Sequence, residues 1–235
     1  MRLLQPFKGD TAMNKLLIIF TAVISLTIPT LSAAMSPRQG PYISGFFGTC
    51  VLGDADVSSY DYQTGDSYAD RAEFAPDANI GGTAGFDYGA VRLEGELSYK
   101  HGETATITDR VNNVQFHGAS GSLGALAMMF NTFFDLHNSS PLTPYLGGGV
   151  GFAVLQLSDT YVAEFGPPIY QEGDDSVFAY QIGAGIEIAI KQRLSLDFGY
   201  RYFATTKASF DSYRDIVSEL KFKSHNLAIG VRALF

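Results

Sequence analysis

Between residues 35 and 235, apolar side chains recur at every second position, and no stretch of useful length has helical periodicity. Strict alternation is typical of β-strands, because successive side chains of a strand point to opposite faces. The alternation predicts eight strands, near residues 42–52, 78–88, 91–100, 115–134, 143–157, 178–190, 194–202 and 226–235. The chain is therefore predicted to be all-β.

The connections between these strands alternate in length. Long polar segments cover residues 53–77, 101–114, 158–176 and 207–221, whereas short links lie at 89–90, 136–142 and 191–193. An even number of strands, with long loops at one end and tight turns at the other, is typical of membrane-spanning barrels. The predicted fold is an eight-stranded antiparallel up-and-down transmembrane β-barrel, and a soluble sandwich or lipocalin-like barrel is the alternative.

Charged residues occupy the polar faces of the predicted strands. The set comprises Arg92, Glu94, Glu96, Lys100, Glu187, Asp197, Arg201 and Arg232. Four of them are basic and four acidic, and side chains fill the interior of a barrel of eight strands. We predict that they point into the lumen and form ion pairs, because buried charges are costly when unpaired. A narrow ion path lined by the same charges is the alternative.

The beginning of the chain has the layout of a secretory signal peptide. Lys15 precedes an apolar run over residues 16–28, and small residues follow up to Ala34. We predict cleavage after Ala34 and a true start at Met13, with an upstream extension before it. Residues 1–34 are thus assigned to leader and extension, and residues 35–235 to one exported barrel domain.

Composition excludes several classes of function. The formal net charge is −8, and the longest basic cluster is Lys221 with Lys223, so nucleic acid is not an expected partner. The single Cys50 excludes an internal disulfide. The four histidines form no ligand-like pair, and the glycine run at 147–151 precedes no helix, so neither a metal nor a cofactor is expected.

Two arrangements could suggest catalysis. Glu94 and Glu96 are spaced like an acid/base pair, but no nucleophile or substrate pocket accompanies them. Ser224 and His225 are adjacent, and adjacent residues of a strand point to opposite faces, so they cannot form a dyad. No catalytic residue is predicted, and the protein is expected not to be an enzyme.

Two segments suggest contacts with other molecules. In the last predicted strand, Leu227, Ile229, Val231 and the terminal Phe235 alternate with other residues. The segment 53–77 carries seven acidic residues and one arginine, so we expect it to be a loop outside any core. Exposed tyrosines suit interfaces, and the contact residues predicted in this loop are Asp61, Tyr62, Asp66 and Tyr68.

The sequence resembles a known family over essentially all of residues 41–235. The stretch PYLGGGVG at 144–151 resembles a strand of the opacity-type, OmpA-like outer-membrane β-barrel superfamily, which includes bacterial surface antigens. Residues 181–203 are similar to two later strands of that group, and the ending on Phe235 resembles the signal that the barrel-assembly machinery reads. The chain lacks tryptophan, so Tyr and Phe are expected to anchor it at the membrane interfaces.

The resemblance implies a surface protein of the outer membrane. Its exposed loops are expected to contact host or environmental molecules and its barrel to support the envelope, with outer-membrane lipids, lipopolysaccharide and the assembly machinery as partners. A small porin that passes narrow solutes or ions is the alternative. A lipid hydrolase of the outer membrane is disfavoured, because no Ser/His pair shares a face near the rim.

Overall fold

The computed structural model describes residues 39–137, 140–163, 166–211 and 216–235, so the predicted leader lies outside the described residues. The described chain forms eleven strands: β1 (Gly40–Leu52), β2 (Ala55–Asp61), β3 (Ser67–Phe74), β4 (Asp77–Asp87), β5 (Val91–Asp109), β6 (Val114–His117), β7 (Ser122–Asp135), β8 (Leu142–Leu157), β9 (Gly173–Lys191), β10 (Leu194–Asp211) and β11 (Ile216–Leu234). In these described ranges no helix is long and apolar enough to cross a membrane.

Eight of the strands close into a ring. Antiparallel pairing runs from β1 through β4, β5, β7, β8, β9, β10 and β11, and β11 returns to β1. The closing seam is continuous from Tyr42 opposite Leu234 to Leu52 opposite Ser224. The predicted all-β, eight-stranded antiparallel barrel is confirmed.

Short links join the ring strands at one end, which we call the turn end: residues 88–90, 136–141 and 192–193. The opposite end, which we call the hairpin end, carries the long connections and the extra strands β2, β3 and β6. Asp87 builds the first short turn, since its Oδ1 accepts a hydrogen bond of 2.7 Å from the Gly89 amide. The predicted short links are confirmed, whereas the predicted long connection 207–221 is reduced to residues 212–215 between β10 and β11.

The prediction that 53–77 is a loop outside the core was wrong. β2 pairs with β11, β3 pairs with β5, and β2 and β3 pair with each other. The hairpin thus continues the barrel wall above β1 and β4. Its inward side chains Ala55, Val57 and Ala72 are at most 5% exposed. The acidic composition masked this role, because the charges alternate with these small apolar residues.

The wall also continues through parts of the other predicted loops. β5 runs on to Asp109, and β10 reaches Asp211 while β11 begins at Ile216. The predicted strand 115–134 is instead the short β6, which pairs with β5, followed by β7. Nineteen residues of β5 at about 3.3 Å each, tilted by about 40°, reach about 48 Å along the barrel axis. This is roughly twice the apolar height of about 25 Å that a membrane barrel needs.

An apolar belt surrounds the part of the ring nearest the turn end. Its outward side chains are large and exposed to the surroundings, among them Phe47 (67%), Met128 (73%), Phe152 (67%) and Ile182 (63%). A water-soluble protein rarely exposes so continuous an apolar surface. The belt is the surface that a barrel presents to lipid.

The interior consists of two layers. Charged and amide side chains fill the half nearest the turn end, where Arg92, Glu94 and Glu96 are at most 3% exposed. Apolar side chains fill the half nearest the hairpin end, with Leu123, Leu155, Phe203 and Phe222 at most 1% exposed. Within the height of the belt, the barrel is thus apolar outside and polar inside. Beyond the belt, toward the hairpin end, the interior is an apolar core.

Candidate functional site

The first cluster of charges inside the barrel is centred on the carboxylates of Glu94 and Glu96. Arg201 donates to both, with Nη1 on Glu96 and Nη2 3.4 Å from the Glu94 Oε1. Lys100 lies 3.9 Å from Glu96 and donates to the Ser98 hydroxyl at 2.7 Å. Two cations therefore face two carboxylates in a space from which bulk water is excluded.

The second cluster lies closer to the turn end. Arg92 Nε is 2.7 Å from Asp135 Oδ2, and both side chains are 1% exposed. Arg232 donates to Glu187 through Nη1 and lies 3.6 Å from Asp197 through Nη2. All eight charges predicted for the lumen therefore lie inside the barrel, and each has an oppositely charged neighbour.

Aromatic rings stack against the cations of both clusters. The Arg92 guanidinium lies 4.7 Å from the Tyr145 ring centroid, and that of Arg232 lies 4.7 Å from the Tyr42 centroid. Lys100 Nζ lies 4.4 Å from the Phe203 centroid, at the border with the apolar layer. Attraction between cation and ring offsets part of the desolvation cost of these buried charges.

Sequence reasoning missed several members of this network: Tyr42, Asn131, Asp135, Tyr145 and Gln181. Gln181 and Asn131 donate to Glu96 at 2.8 and 3.0 Å, and Tyr42 and Tyr145 donate to Glu94 and Asp197. With Asp135 added, the two clusters contain five acidic and four basic side chains, so the expected balance of four against four was wrong. Asp135 is the last residue of β7 and lies beside a predicted turn, where the alternation ends. The other four residues are neutral, so a search for charged positions does not find them.

The space left between these side chains is small. The cavity beside the first cluster measures about 20 Å³, and a single water needs roughly 10 to 15 Å³. Buried polar atoms without a protein partner, including Asn79 Oδ1 and Asn226 Oδ1, face the same region. This cavity therefore has room for about one ordered water.

The tip of the β2–β3 hairpin is the part of the predicted contact loop that is exposed. Tyr62 and Tyr68 are 67% and 47% exposed, and Asp66 is exposed as well. Tyr60 and Tyr62 pack edge to face at 4.8 Å. Asp61 shapes the turn, since its Oδ1 accepts hydrogen bonds from the amides of Gln63 and Thr64, and these bonds lower its pKa.

Below this tip, a polar pair is embedded in the apolar layer. The Tyr170 hydroxyl donates to Asp70 Oδ2 at 2.5 Å, between the hairpin and the connection that precedes β9. Burial raises the pKa of Asp70 above its ordinary 3.8 and also raises the pKa of Tyr170. The pair ties the hairpin to the connection that precedes β9.

The last strand carries the residues of the predicted assembly signal. Ile229, Val231 and Phe235 are 45%, 48% and 62% exposed on the outward face, and Leu227 is half-buried on the same face. The Phe235 amide donates to the Pro41 carbonyl at 2.9 Å. The terminal residue thus fastens the seam between the first and last ring strands.

The structure places the adjacent Ser224 and His225 on opposite faces of β11, as the alternation predicts. Ser224 is fully buried inside the barrel and accepts a hydrogen bond of 2.9 Å from Asn226 Nδ2. His225 lies on the outward face, where its Nδ1 is 2.7 Å from the Tyr200 hydroxyl. No group of three His, Cys, Asp or Glu side chains within the described ranges could hold a metal ion.

A closed ring with an apolar outer belt and paired charges inside defines a membrane-spanning β-barrel. The chain belongs to the outer membrane protein beta-barrel domain family, whose model matches residues 18–235. The resemblance noted in the sequence is thereby confirmed, as is the location in the outer membrane. The hairpin end faces the exterior of the cell, since long connections of such barrels lie outside and short turns face the periplasm.

Similar proteins are known by sequence and by structure. "Outer membrane protein PagN" of Salmonella typhimurium is 28% identical, over 92% of this chain and 98% of its own length. The outer membrane protein OprG from Pseudomonas aeruginosa has a TM-score of 0.56 at 13% identity, covering 85% of this chain and 99% of its own. The outer membrane protein AlkL has a TM-score of 0.50 at 13% identity, covering 89% and 95%. The two structures support the fold alone.

Proposed function

We propose that this protein is a non-enzymatic surface protein that presents the tip of the β2–β3 hairpin to host or environmental molecules. The observation that carries the proposal is the exposed Tyr62 and Tyr68 on a hairpin whose base is part of the barrel wall. A tyrosine ring offers apolar area and a hydrogen-bonding tip at little cost in side-chain entropy.

The filled lumen supports an anchoring role for the barrel. A solute crossing it would have to displace the ion pairs around Glu96 and then the apolar layer formed by Leu123, Leu155 and Phe222. The porin alternative predicts conductance steps in planar bilayers that change when Arg92 or Glu94 is altered. We expect no such steps from the assembled protein.

Assembly and export belong to the same proposal. The alternating outward side chains of β11 that end on Phe235 would be read by the barrel-assembly machinery, after a leader over residues 1–34 has been removed. Their outward exposure on the closed barrel supports this role. The envelope would gain a rigid spanning element in addition to the contact surface.

Adherence of cells that display the barrel tests the contact role. Bacteria producing the wild type, Tyr62→Ala with Tyr68→Ala, or Tyr88→Ala are compared on epithelial monolayers. Tyr88 is a matched control, since it is 57% exposed but lies at the periplasmic turn end. The hairpin variant should adhere several-fold less while its heat-modifiable gel shift stays normal. Unchanged adherence by an assembled hairpin variant would exclude the tip as the contact surface.

A further inference from the structure

Three lysines lie together on the outward face of the wall, just beyond the apolar belt on the exterior side. Lys207 on β10 is directly opposite Lys221 on β11, and Lys223 follows two positions further along β11. All three side chains are exposed. Like charges placed directly opposite each other on neighbouring strands repel and destabilise the sheet. Such an arrangement favours the binding of an anion.

Two of these lysines have no acidic partner. Lys207 Nζ lies 2.7 Å from Glu219, whereas no carboxylate of the described residues lies within 4.0 Å of Lys221 or Lys223. On the other side of β11, Asp54 and Asp56 are bound by Arg71 and Arg110. Among the described cations at the hairpin end, Lys221 and Lys223 are the two without an ion pair.

The height of the pair matches the headgroup region of the outer leaflet. Phe235 lies twelve positions after Lys223, which amounts to about 40 Å along the strand and about 30 Å along the axis at a tilt near 40°. The apolar belt of a membrane barrel is about 25 Å tall. With Phe235 taken as the lower edge of the belt, Lys223 stands a few ångströms above the hydrocarbon, and Lys221 lies two residues further toward the exterior.

The surface directly below the lysines is suited to an amphipathic ligand. Along the outward face of β11, His225 follows Lys223, and then come Leu227 and Ile229. Tyr202 packs beside the His225 ring at 5.3 Å, forming an aromatic step at the edge of the belt. A lipid with acyl chains on this belt would bring its headgroup to the lysines.

We propose that Lys221 and Lys223 bind the phosphate groups of an anionic lipid of the outer leaflet, a phosphorylated glycolipid such as lipid A. The acyl chains lie on the apolar belt below, the sugar edge meets His225 and Tyr202, and the two ammonium groups contact the phosphates. The inference is independent of the contact role proposed for the hairpin tip, since the two surfaces involve different residues.

Titration of the purified full-length barrel with fluorescent lipid A tests this site. Wild type is compared with Lys221→Glu/Lys223→Glu and with Lys221→Gln/Lys223→Gln. The matched control is Lys191→Glu/Arg193→Glu, which changes the net charge equally in the exposed periplasmic turn. At about 1 kcal/mol for each lysine near a charged surface, the glutamine pair should weaken binding about 30-fold and the glutamate pair more. The control should bind like the wild type.

Three further ligands test the specificity of the site: inorganic phosphate, heparin, and lipid A from which both phosphates have been removed. The dephosphorylated lipid should bind wild type and lysine variants equally weakly, and inorganic phosphate should not displace the phosphorylated lipid at equal concentration. Equal affinity of wild type and glutamine variant for lipid A would overturn the proposal, as would displacement by phosphate alone. Heparin binding that depends on the two lysines, with lipid binding unchanged, would also overturn it.

Discussion

Arg201 and Glu96, separated by 105 positions in the sequence, form an ion pair in the interior of the barrel. Arg201 also reaches Glu94, so a single guanidinium holds two carboxylates that project from neighbouring inward positions of β5. Desolvated charges of this kind are stable only as a set, because removal of one member leaves the others buried and uncompensated.

Replacement of Arg201 by methionine should therefore destabilise the barrel by about 3 to 5 kcal/mol. Urea unfolding in lipid vesicles, followed by the heat-modifiable gel shift, measures the change. Arg110→Met is the control, since its pair with Asp56 is exposed and such pairs contribute at most about 1 kcal/mol. Equal losses of stability in the two variants would show that the buried cluster stabilises the barrel no more than an exposed ion pair does.

Gly48→Ala should prevent the first and last strands of the ring from closing. A Cβ at Gly48 would lie 1.8 Å from the Leu227 carbonyl oxygen, a backbone atom that cannot move without opening the seam. Gly45→Ala is the matched control on the same strand, because a Cβ there meets no atom within 4 Å. The gel shift should be lost in the first variant and retained in the second. Normal assembly of Gly48→Ala would contradict the tight register at the seam.

Asp70→Asn should make the stability of the hairpin less sensitive to rising pH. Burial raises the folded pKa of Asp70, so between its ordinary value of 3.8 and that folded value the native state binds more protons than the unfolded state. Stability of this region therefore falls as pH rises through the window. Hydrogen exchange of β3 amides, corrected for intrinsic rates, should show that fall in the wild type and a smaller one in Asp70→Asn.

Asp61→Asn provides a control of opposite sign for this measurement. Backbone amides lower the folded pKa of Asp61, so its contribution is present above the ordinary pKa and is lost as pH falls. Loss of this carboxylate should therefore reduce protection of the hairpin on the high-pH side only. If both variants changed protection over the same pH range, the opposite effects of Asp61 and Asp70 on the pH dependence of stability would be contradicted.

Deletion of Phe235 should leave protein in the periplasm. The deletion removes the terminal aromatic proposed as the assembly signal and the hydrogen bond to the Pro41 carbonyl at the seam. Phe235→Tyr keeps an aromatic ring and the amide, and should assemble normally. Membrane fractionation and the gel shift distinguish the two variants. Outer-membrane levels of the deletion variant equal to wild type would exclude the role.

The ring and its inward charges could be predicted because both depend on alternation, and a period of two is visible in any window of a strand. Glu94, Glu96 and Arg201 are charged residues within apolar alternation, so their inward position follows from the pattern alone. Asp135 could not be found in this way, since it lies where the alternation ends. Asn131 and Gln181 form bonds that only the closed barrel creates, between strands whose pairing the pattern does not specify.

The hairpin was misjudged for a different reason. Composition over residues 53–77 averages an outward acidic face with an inward face of small residues such as Ala55, Val57 and Ala72. The average indicates a solvated loop, whereas the alternation within it indicates a wall strand. β2 has only 7 residues and β3 only 8, so the pattern was too short to outweigh the net charge.

Because β2 and β3 extend the barrel wall, the tyrosines at their tip occupy fixed positions before any partner arrives. A flexible loop must give up conformational freedom when it binds, and that loss weakens the complex. Here the same freedom is surrendered when the barrel closes at the seam between β1 and β11, which does not include the hairpin tip. The recognition surface is preorganised, so its affinity for a partner depends on closure of the seam as well as on the tyrosines that contact the partner.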